Sequence, residues 1–282
     1  MKKNEANACL KSAMGAAREV GRLMRRHLHS TSKNIDLETQ HDIKLELDSR
    51  AQRLIERRLQ RAHPETAILG EEGTLGDIAS ERRWVVDPID GTVNFAYGLP
   101  HACISIALQE RVVPIRKKLA REFPDLNYRT VAGVVHDPFQ NETWTAVLGG
   151  GARMNGRKVS VSSRDRLDRA LIAMGFSSAP GAMEQKGAYF GRLFSKVRKI
   201  RLLGAGALSL TYVATGRLDA YVQSGIRLWD IAAGGLIIEC AGGEFWSRPI
   251  EGEHAYDIVA SNGKLRRKLE RVQRETAREG AV

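Results

Sequence analysis

The chain has 282 residues, of which 43% are hydrophobic and 27% are charged, and its formal net charge is +11. This composition is ordinary for a soluble globular fold and excludes a disordered, collagen-like or disulfide-stapled chain. The excess of positive charge favours an anionic partner such as a nucleic acid, a membrane surface or a phosphorylated substrate.

Neither a membrane span nor a secretion signal is predicted. No run of eighteen apolar residues occurs, and residues 1–28 lack the apolar block and small-residue cleavage site of a signal peptide. Three scattered cysteines without the spacing of a zinc or redox motif are typical of buried thiols in a reducing compartment. We therefore expect a cytoplasmic protein without a membrane partner.

Hydrophobic periodicity predicts two amphipathic helices first, at residues 10–28, with a basic outer face, and at residues 47–62. Strands are then predicted at residues 67–69, 83–86, 102–108, 131–135, 143–147, 171–173, 220–222 and 258–260. Further helices are predicted near residues 188–197, 205–215, 230–240 and 265–278. The order indicates a layered α/β or α+β body.

No flexible linker divides this succession of elements. We expect a single domain over residues 1–282, within which residues 1–160 and 161–282 can form two subdomains. The charged segment 111–129 is too long for a β-turn and is predicted to be an excursion at the surface.

Two aspartates follow the predicted strand at residues 83–86. Pro88 fixes a turn between Asp87 and Asp90, so both carboxylates can converge at the strand end. Gly91 and Thr92 come next and can open a helix whose backbone N–H groups face an anion. The alternative interpretation is a simple turn in which Asp90 caps the helix.

Other acidic residues stand at element ends elsewhere in the sequence. Glu71 and Glu72 follow the strand at residues 67–69, and Asp230 stands at the start of a predicted helix. Each pattern also fits a solvated turn or a helix cap. Together with the paired aspartates they favour a site for Mg²⁺, which prefers oxygen ligands and shares its shell with phosphate and water.

Two motifs at these positions carry a resemblance to a known family. The chain reads W-x-x-D-P-I-D-G-T-x-N-F from Trp84 to Phe95 and W-D-x-A-A-G from Trp229, and it has Asp42-x5-Asp48 and Gly70-Glu71-Glu72 upstream. In this combination it resembles the inositol monophosphatase family of lithium-sensitive, magnesium-dependent phosphatases. The resemblance covers most of the chain and implies a layered α-β-α-β-α sandwich, a homodimer and hydrolysis of a phosphate monoester.

The resemblance also implies a ligand set for two or three Mg²⁺ ions in each site. The first ion would be held by Glu71, Asp87 and the carbonyl of Ile89, and the second by Asp87, Asp90 and Asp230. It remains open whether a third ion binds through Glu71 and Glu72.

Catalytic and substrate-binding roles follow from the same resemblance. Glu71 and Thr92 would position a water molecule that the metal activates, Asp48 would support Thr92, and Asp90 would complete the catalytic set. The N–H groups of Gly91 and Thr92 would bind the phosphate. Glu72, Gln223 and Arg227 are candidate substrate contacts.

Gln223 bears on the identity of the substrate rather than on the reaction. Family members that bind inositol often have a glutamate here, and an amide both donates and accepts hydrogen bonds, so the polyol pattern can differ. Arg227 can reach a second anionic group or can be a solvated strand-end residue. We expect an inositol-1-phosphate or a similar polyol or sugar phosphate, with fructose-1,6-bisphosphate and a 3′(2′),5′-bisphosphate nucleotide as alternatives.

Charge distribution suggests a function of a different class, a nucleic-acid or protein-binding regulator on a phosphatase scaffold. Four windows, residues 1–33, 111–129, 186–201 and 264–279, together carry +20, which leaves −9 on the rest of the chain, where the candidate site lies. The alternative is four solvated faces, and no RNA-binding motif accompanies the windows. Nucleic acid is therefore a partner suggested by charge alone.

Overall fold

A computed structural model describes residues 3–30, 35–38, 43–176 and 182–279 of the chain. The helices are α1 (Lys3–His27), α2 (Glu46–Ala62), α3 (Thr92–Ala96), α4 (Lys117–Glu122), α5 (Ala182–Lys196), α6 (Gly206–Ala214), α7 (Leu228–Cys240) and α8 (Arg266–Glu279). The strands are β1 (Ile35–Glu38), β2 (Ile43–Leu45), β3 (Ala67–Gly70), β4 (Gly73–Leu75), β5 (Arg82–Asp90), β6 (Cys103–Arg111), β7 (Tyr128–Asp137), β8 (Glu142–Val147), β9 (Arg153–Met154), β10 (Arg157–Lys158), β11 (Leu171–Gly175), β12 (Lys199–Arg201), β13 (Ala220–Arg227), β14 (Glu244–Pro249) and β15 (Ala255–Ser261).

Most of these strands belong to two large sheets. In the described residues, one sheet has the order β10-β9-β8-β7-β6-β5-β3-β4 and the other the order β12-β11-β13-β15-β14. Within the first sheet β3 and β5 run parallel, whereas β5, β6, β7 and β8 are antiparallel neighbours. The first sheet is formed by the first half of the chain and the second sheet by the second half.

Three layers of helices alternate with the two sheets. Helices α1 and α2 pack on the outer face of the first sheet, α6 and α7 lie between the sheets, and α5 and α8 pack together on the far side of the second sheet. Each helix layer covers an apolar sheet face, as a layered fold requires. The expected α-β-α-β-α sandwich is confirmed.

Small residues allow the outer and central helices to approach the first sheet closely. On α1 the buried stripe includes Ala13, Ala17 and Met24. On α7, Ala233 lies so close to Gly133 of β7 that a Cβ at Gly133 would be 3.0 Å from the Ala233 Cα. The helix that carries Asp230 is therefore fixed against the sheet by backbone contact.

Several short elements differ from the sequence-based expectations. β4, β9, β10, β12 and β14 were not expected, because they are two to six residues long and mostly exposed, and so lack an apolar pattern. The excursion at 111–129 contains α4 and a short 3₁₀ helix, Pro124–Asn127. None of the helices in the described ranges is long and apolar enough to cross a membrane.

Candidate active site

The ends of the parallel strands β3 and β5 bring Glu71 and Asp87 together. Gly70 pairs with Val86 in the register of these strands, and the Glu71 N–H donates to the Val86 carbonyl oxygen at 3.1 Å. Neighbouring parallel strands point their next residues to the same edge, and burial together with the nearby charge of Glu71 raises the pKa of Asp87. This pair therefore follows from the strand pairing.

A bulge at the end of β5 places Asp90 beside Asp87. Asp87 pairs with Ser105 and Asp90 pairs with Cys103, so three steps on β5 oppose two on β6. An extra residue of this kind bends a strand and redirects its side chains. The Asp87 Oδ1 accepts a hydrogen bond from the Ile89 N–H at 3.0 Å, which fixes the carboxylate within the turn.

Asp90 is anchored by the N-terminus of α6, which is remote in sequence. Its Oδ1 accepts from the Gly206 N–H at 2.8 Å, and its Oδ2 accepts from the Ala207 N–H at 2.9 Å. The buried Cys103 thiol also donates to Oδ2, at 3.3 Å. Cys103 and the start of α6 were not singled out as site residues from the sequence.

Asn94 holds the segment that leads into α6. Its Nδ2 donates to the carbonyl oxygens of His101 and Leu203, at 2.9 and 2.8 Å. The second bond joins the middle of α3 to the residues just before Gly206. Asn94 belongs to the recognised motif, but its structural role needs the fold to be seen.

Asp230 completes a group of three aspartates that we call the carboxylate cluster: Asp87, Asp90 and Asp230. One carboxylate oxygen from each lies within 4.8 Å of the others. The Asp230 Oδ2 accepts a hydrogen bond from the Arg227 N–H at 3.0 Å, so Asp230 also caps the helix it lies on. The helix-cap interpretation and the cluster interpretation are compatible, since a carboxylate can accept several bonds.

The charges of the cluster are strongly destabilised in the absence of a cation. Burial, followed by the charge of Asp230, raises the pKa of Asp90 to about 7. Burial and the neighbouring carboxylates also raise the pKa values of Glu71 and Asp87 well above their ordinary range. Hard oxygen donors, buried together and short of positive charge, are the donor set that Mg²⁺ requires, so these residues fit the ion.

The turn after Asp90 holds the predicted phosphate-binding residues. Gly91 has φ +87° and a Cβ there would be 2.9 Å from the His101 carbonyl oxygen, so the position requires glycine. Helix α3 begins at Thr92, whose hydroxyl donates to the Ile89 carbonyl oxygen at 2.8 Å. That carbonyl is the one expected to ligate the first ion, and it keeps a second lone pair.

The predicted residues Asp48 and Glu72 lie around the turn that carries Glu71. Asp48 is buried, its Oδ2 accepts from the Leu45 N–H at 2.8 Å, and its charge contributes to the raised pKa of Glu71. Glu72 accepts from the Ser49 hydroxyl at 3.3 Å. Support of Thr92 by Asp48 stays a prediction, and Asp42 lies outside the described residues.

Gln52 organises the same turn and was overlooked in the sequence. The buried amide accepts from the Glu72 N–H at 2.9 Å and donates to the Gly73 carbonyl oxygen at 3.0 Å. A Cβ at Gly70 would be 2.3 Å from its Oε1, so a side chain there would displace the Gln52 amide. A polar side chain on the buried face of a predicted helix was the available signal.

The two remaining substrate candidates lie at the bulged end of β13. Gln223 accepts a hydrogen bond from the Tyr221 hydroxyl. Burial, and after it the charges of Asp90 and Asp230, raises the pKa of Tyr221. The Arg227 guanidinium donates to the Glu253 carbonyl oxygen. Arg227 is therefore held at the start of α7, and its contact with a substrate stays a prediction.

Comparison with known proteins gives this geometry a context. A model of the inositol monophosphatase family matches residues 6–116 and 125–277. The chain is 35% identical over 270 residues to "Nus factor SuhB" of Xylella fastidiosa, covering 91% of each chain. It is 34% identical over 265 residues to "Fructose-1,6-bisphosphatase/inositol-1-monophosphatase" of Thermotoga maritima, covering 93% of this chain and 94% of the relative. A solved IMPase structure from T. maritima superposes with a TM-score of 0.80 at 32% identity, covering 96% and 98% of the two chains.

Proposed function

Because this chain belongs to the inositol monophosphatase family, we propose that it hydrolyses a phosphate monoester in an Mg²⁺-dependent reaction at the carboxylate cluster. Family membership supports a phosphatase, and the relative from T. maritima carries a phosphatase name. The observation that carries the proposal is the cluster itself, in which Asp87, Asp90 and Asp230 meet within 4.8 Å.

The proposed metal ligands are those that the family resemblance implies. Two or three Mg²⁺ ions would be held by Glu71, Asp87, the Ile89 carbonyl, Asp90 and Asp230. When bound, Mg²⁺ supplies charge neutralisation, polarises phosphoryl oxygens and lowers the pKa of water. The raised pKa values of Glu71 and Asp87 support this assignment, since buried carboxylates of like charge need a compensating cation.

Thr92 and Glu71 are proposed to orient the attacking water. The single proton of the Thr92 hydroxyl is donated to the Ile89 carbonyl, so towards water this hydroxyl can only accept. An ionised Glu71 also only accepts. Water that donates to both directs a lone pair at phosphorus, where the new P–O bond forms as the ester P–O bond breaks. The ester oxygen leaves with the electron pair of that bond and takes up the proton that the water loses, which gives an alcohol and inorganic phosphate. The N–H groups of Gly91 and Thr92 at the start of α3 would hold the phosphate.

The proposed substrate class is inositol-1-phosphate or a similar polyol or sugar phosphate. Fructose-1,6-bisphosphate is the nearest alternative and agrees with the double name of the T. maritima relative. A bisphosphorylated nucleotide is the third. Glu72, Gln223 and Arg227 are the proposed substrate contacts.

A phosphate-release screen tests the proposal and ranks the substrates. The purified chain is assayed with inositol-1-phosphate, fructose-1,6-bisphosphate and adenosine 3′,5′-bisphosphate, each with Mg²⁺ or with EDTA. We expect turnover of the inositol ester or a sugar phosphate, abolished by EDTA. No release from any ester at saturating Mg²⁺ would contradict the proposal.

The assembly proposed for the enzyme is a homodimer in the cytoplasm. Large apolar side chains are exposed just after α3, with Tyr97 at 75% and Leu99 at 53% exposure. Leu202, 60% exposed, adjoins Leu203, whose carbonyl oxygen bonds to Asn94 of α3. Such a patch next to the site supports an interface between two copies. Sedimentation equilibrium of the wild type and of Tyr97→Glu tests it: the wild type should be dimeric and the variant weakened.

A second candidate function, binding of nucleic acid, is favoured by the outer helix layer. Exposed arginines follow one another at three- or four-residue spacing on two helices, Arg18, Arg22 and Arg26 on α1 and Arg50, Arg53, Arg57 and Arg61 on α2. The ion pair between Arg58 and Glu19 at 2.9 Å places the two helices side by side. Arginine stripes suit phosphate backbones, and the relative from X. fastidiosa is named a Nus factor.

Salt-dependent binding of a single-stranded RNA oligonucleotide tests this candidate. Replacing Arg18, Arg22 and Arg26 by Gln should make the slope of log affinity against log salt less negative by about 2, because three phosphate contacts are lost. The matched control replaces Arg267, Arg271 and Arg274 of α8, on the opposite outer layer, with the same charge change. Equal effects of both triple variants would contradict binding of RNA through the face formed by α1 and α2.

A further inference from the structure

Residues 117–124 form an insertion that the family model does not match. The insertion contains α4 and is closed at its base, where the Val112 N–H donates to the Asn127 carbonyl oxygen at 2.7 Å. The Asn127 side chain donates to the Ala120 and Pro124 carbonyl oxygens, at 3.2 and 3.0 Å. The segment is therefore a folded loop with its own hydrogen bonds, and its geometry belongs to this chain rather than to the family pattern.

Asp125 directly follows the insertion, within the loop closed by Val112 and Asn127, and bonds to three residues of two other segments. Its Oδ1 accepts from the Arg83 guanidinium at 2.7 Å, and its Oδ2 accepts from the His254 Nδ1 at 2.7 Å and the Tyr256 hydroxyl at 3.3 Å. Arg83 is itself buried and stacked 3.8 Å from the Tyr128 ring centroid. The carboxylate is thus held rigidly on the first sheet while it contacts the segment before β15.

His254 links Asp125 to the first turn of α7. Its φ of +49° is unusual for a residue with a side chain, so the imidazole contact helps to hold the backbone there. The His254 carbonyl oxygen accepts from the Leu228 N–H at 2.9 Å, and its ring lies 5.9 Å from the Trp229 ring. Leu228 and Trp229 immediately precede Asp230 of the carboxylate cluster.

An open pocket of about 750 Å³ lies between the insertion and residues 249–256 and is lined by both segments, including Asp125 and His254. The Asp125 side chain is 9% exposed, and its partners Arg83 and Tyr256 are buried, so its bonds form inside a packed contact at the edge of this pocket. Loss of these bonds would leave buried polar groups unpaired beside open space, into which the segment before β15 can shift, and with it the backbone of Leu228 and Trp229.

We propose that Asp125 is a positioning residue that acts through His254 on Asp230, so that the loop between Val112 and Asn127 tunes divalent-cation binding at the carboxylate cluster. The proposal rests on the proposed function, because it takes the cluster to be the metal site. Asp125 touches neither substrate nor cluster in this account. Partners that orient metal ligands from outside typically change metal affinity by 10- to 100-fold when removed.

The test is calorimetric titration of the purified full chain with Mn²⁺ alone, without substrate. We expect Asp125→Asn to bind Mn²⁺ about tenfold more weakly than the wild type. The Mg²⁺ midpoint of phosphate release should rise by a similar factor, while kcat at saturating Mg²⁺ stays within about twofold, because every ligand is still present. The matched control is Asp168→Asn, which removes an exposed aspartate paired with Arg166 at 2.7 Å far from the insertion.

A second variant covers the case in which Asp125→Asn does not fold. His254→Gly keeps the positive φ without strain, removes the imidazole and loosens the backbone at this position, and it should weaken Mn²⁺ binding at least as much. Wild-type Mn²⁺ affinity in a folded Asp125→Asn or His254→Gly protein would overturn the positioning role alone. A wild-type protein that binds no Mn²⁺ would overturn the metal site and the proposed function with it.

Discussion

The surroundings of Asp90 shift its pKa in opposite directions. Burial and Asp230 raise its pKa to about 7, whereas the N–H groups at the start of α6 favour its charged form. Glu71 and Asp87 have raised pKa values for the same reason of burial beside like charges. Without a cation, Asp90 is partly protonated near neutral pH, and protons therefore compete with Mg²⁺ for its oxygens.

This competition predicts how Mg²⁺ stabilises the fold as pH changes. A carboxyl group whose pKa is raised by folding contributes stability below its unfolded pKa, and that contribution is lost as pH rises to about 7, the folded value for Asp90. Mg²⁺ should offset the loss by replacing the protons. We expect the Mg²⁺-induced rise in Tm to grow between about pH 5.5 and pH 8, measured by scanning calorimetry.

The control for this prediction is Asp230→Asn, which removes one charge from the cluster. Its Mg²⁺-induced shift in Tm should be smaller at every pH, because a ligand is missing and the remaining carboxylates repel less. A shift in the wild type that does not depend on pH would show that protons and Mg²⁺ do not share these groups.

Helix α3 shows how a short element depends on one backbone conformation. The chain leaves β5 and enters α3 through Gly91, whose left-handed φ and contact with the His101 carbonyl oxygen exclude a side chain. Asn94 then joins α3 to the approach to α6. Gly91 and Asn94 therefore connect α3 both to the phosphate-binding turn and to the start of α6, whose N–H groups hold Asp90.

Gly91→Ala should therefore destabilise the protein by about 1–3 kcal/mol and lower the rate of phosphate release. The added Cβ would be 2.9 Å from the His101 carbonyl oxygen, so α3 must shift. Gly98→Ala is the matched control, since Gly98 also has a positive φ, +76°, but its nearest neighbour is 3.6 Å away. Urea denaturation of both variants separates steric displacement from the left-handed conformation, and equal losses would contradict the account.

Local spacing decides how much of this element could be predicted from sequence. Asp87, Asp90 and the start of α3 lie within six residues, so chain geometry alone brings them together. The sequence did not specify that β3 pairs with β5. Functional residues such as Glu71 and Asp87 nevertheless commonly lie at the ends of neighbouring parallel strands. The amides of α6 bind Asp90 from 116 and 117 residues away, and no local pattern encodes such a contact. Short exposed strands such as β4 escaped prediction because pairing, not hydrophobicity, forms them.

At the scale of the whole molecule, α7 joins the two halves. It lies between the sheets, packs on β7 through Gly133 and carries Asp230 at its first turn. Asp87 and Asp90 come from the first sheet, whereas Asp230 follows a strand of the second. The cluster therefore exists only when the central layer is correctly packed between both sheets.

Gly133→Ala tests this dependence. A Cβ there would be 3.0 Å from the Ala233 Cα and 3.1 Å from its carbonyl oxygen, so α7 must move away from β7. We expect a loss of about 1–3 kcal/mol in the free energy of unfolding by urea denaturation. Gly151→Ala is the control, because its nearest atom is 3.8 Å away on a lysine side chain, and it should change stability by less than about 0.5 kcal/mol. Similar values for both variants would contradict close backbone packing of α7.

Positive and negative charges are also unevenly distributed over the whole molecule. The basic windows carry +20, and the remainder, which contains the cluster, carries −9. An acidic centre attracts the cation that a phosphate ester needs in order to bind, while basic outer layers attract anions. The net charge of +11 therefore describes the surface and not the site.

The most direct test of the central claim compares phosphate release by the wild type and by Asp230→Asn at saturating Mg²⁺, with inositol-1-phosphate and fructose-1,6-bisphosphate as substrates. Asp137→Asn serves as the control, because Asp137 is even more buried than the half-buried Asp230 and caps a turn outside the cluster. Loss of a direct ligand should cost at least about 100-fold in rate, since even outer partners cost 10- to 100-fold in activity. We expect this loss in Asp230→Asn and near wild-type rates in Asp137→Asn. Full activity in a folded Asp230→Asn protein would contradict the assignment of the carboxylate cluster as the catalytic metal site.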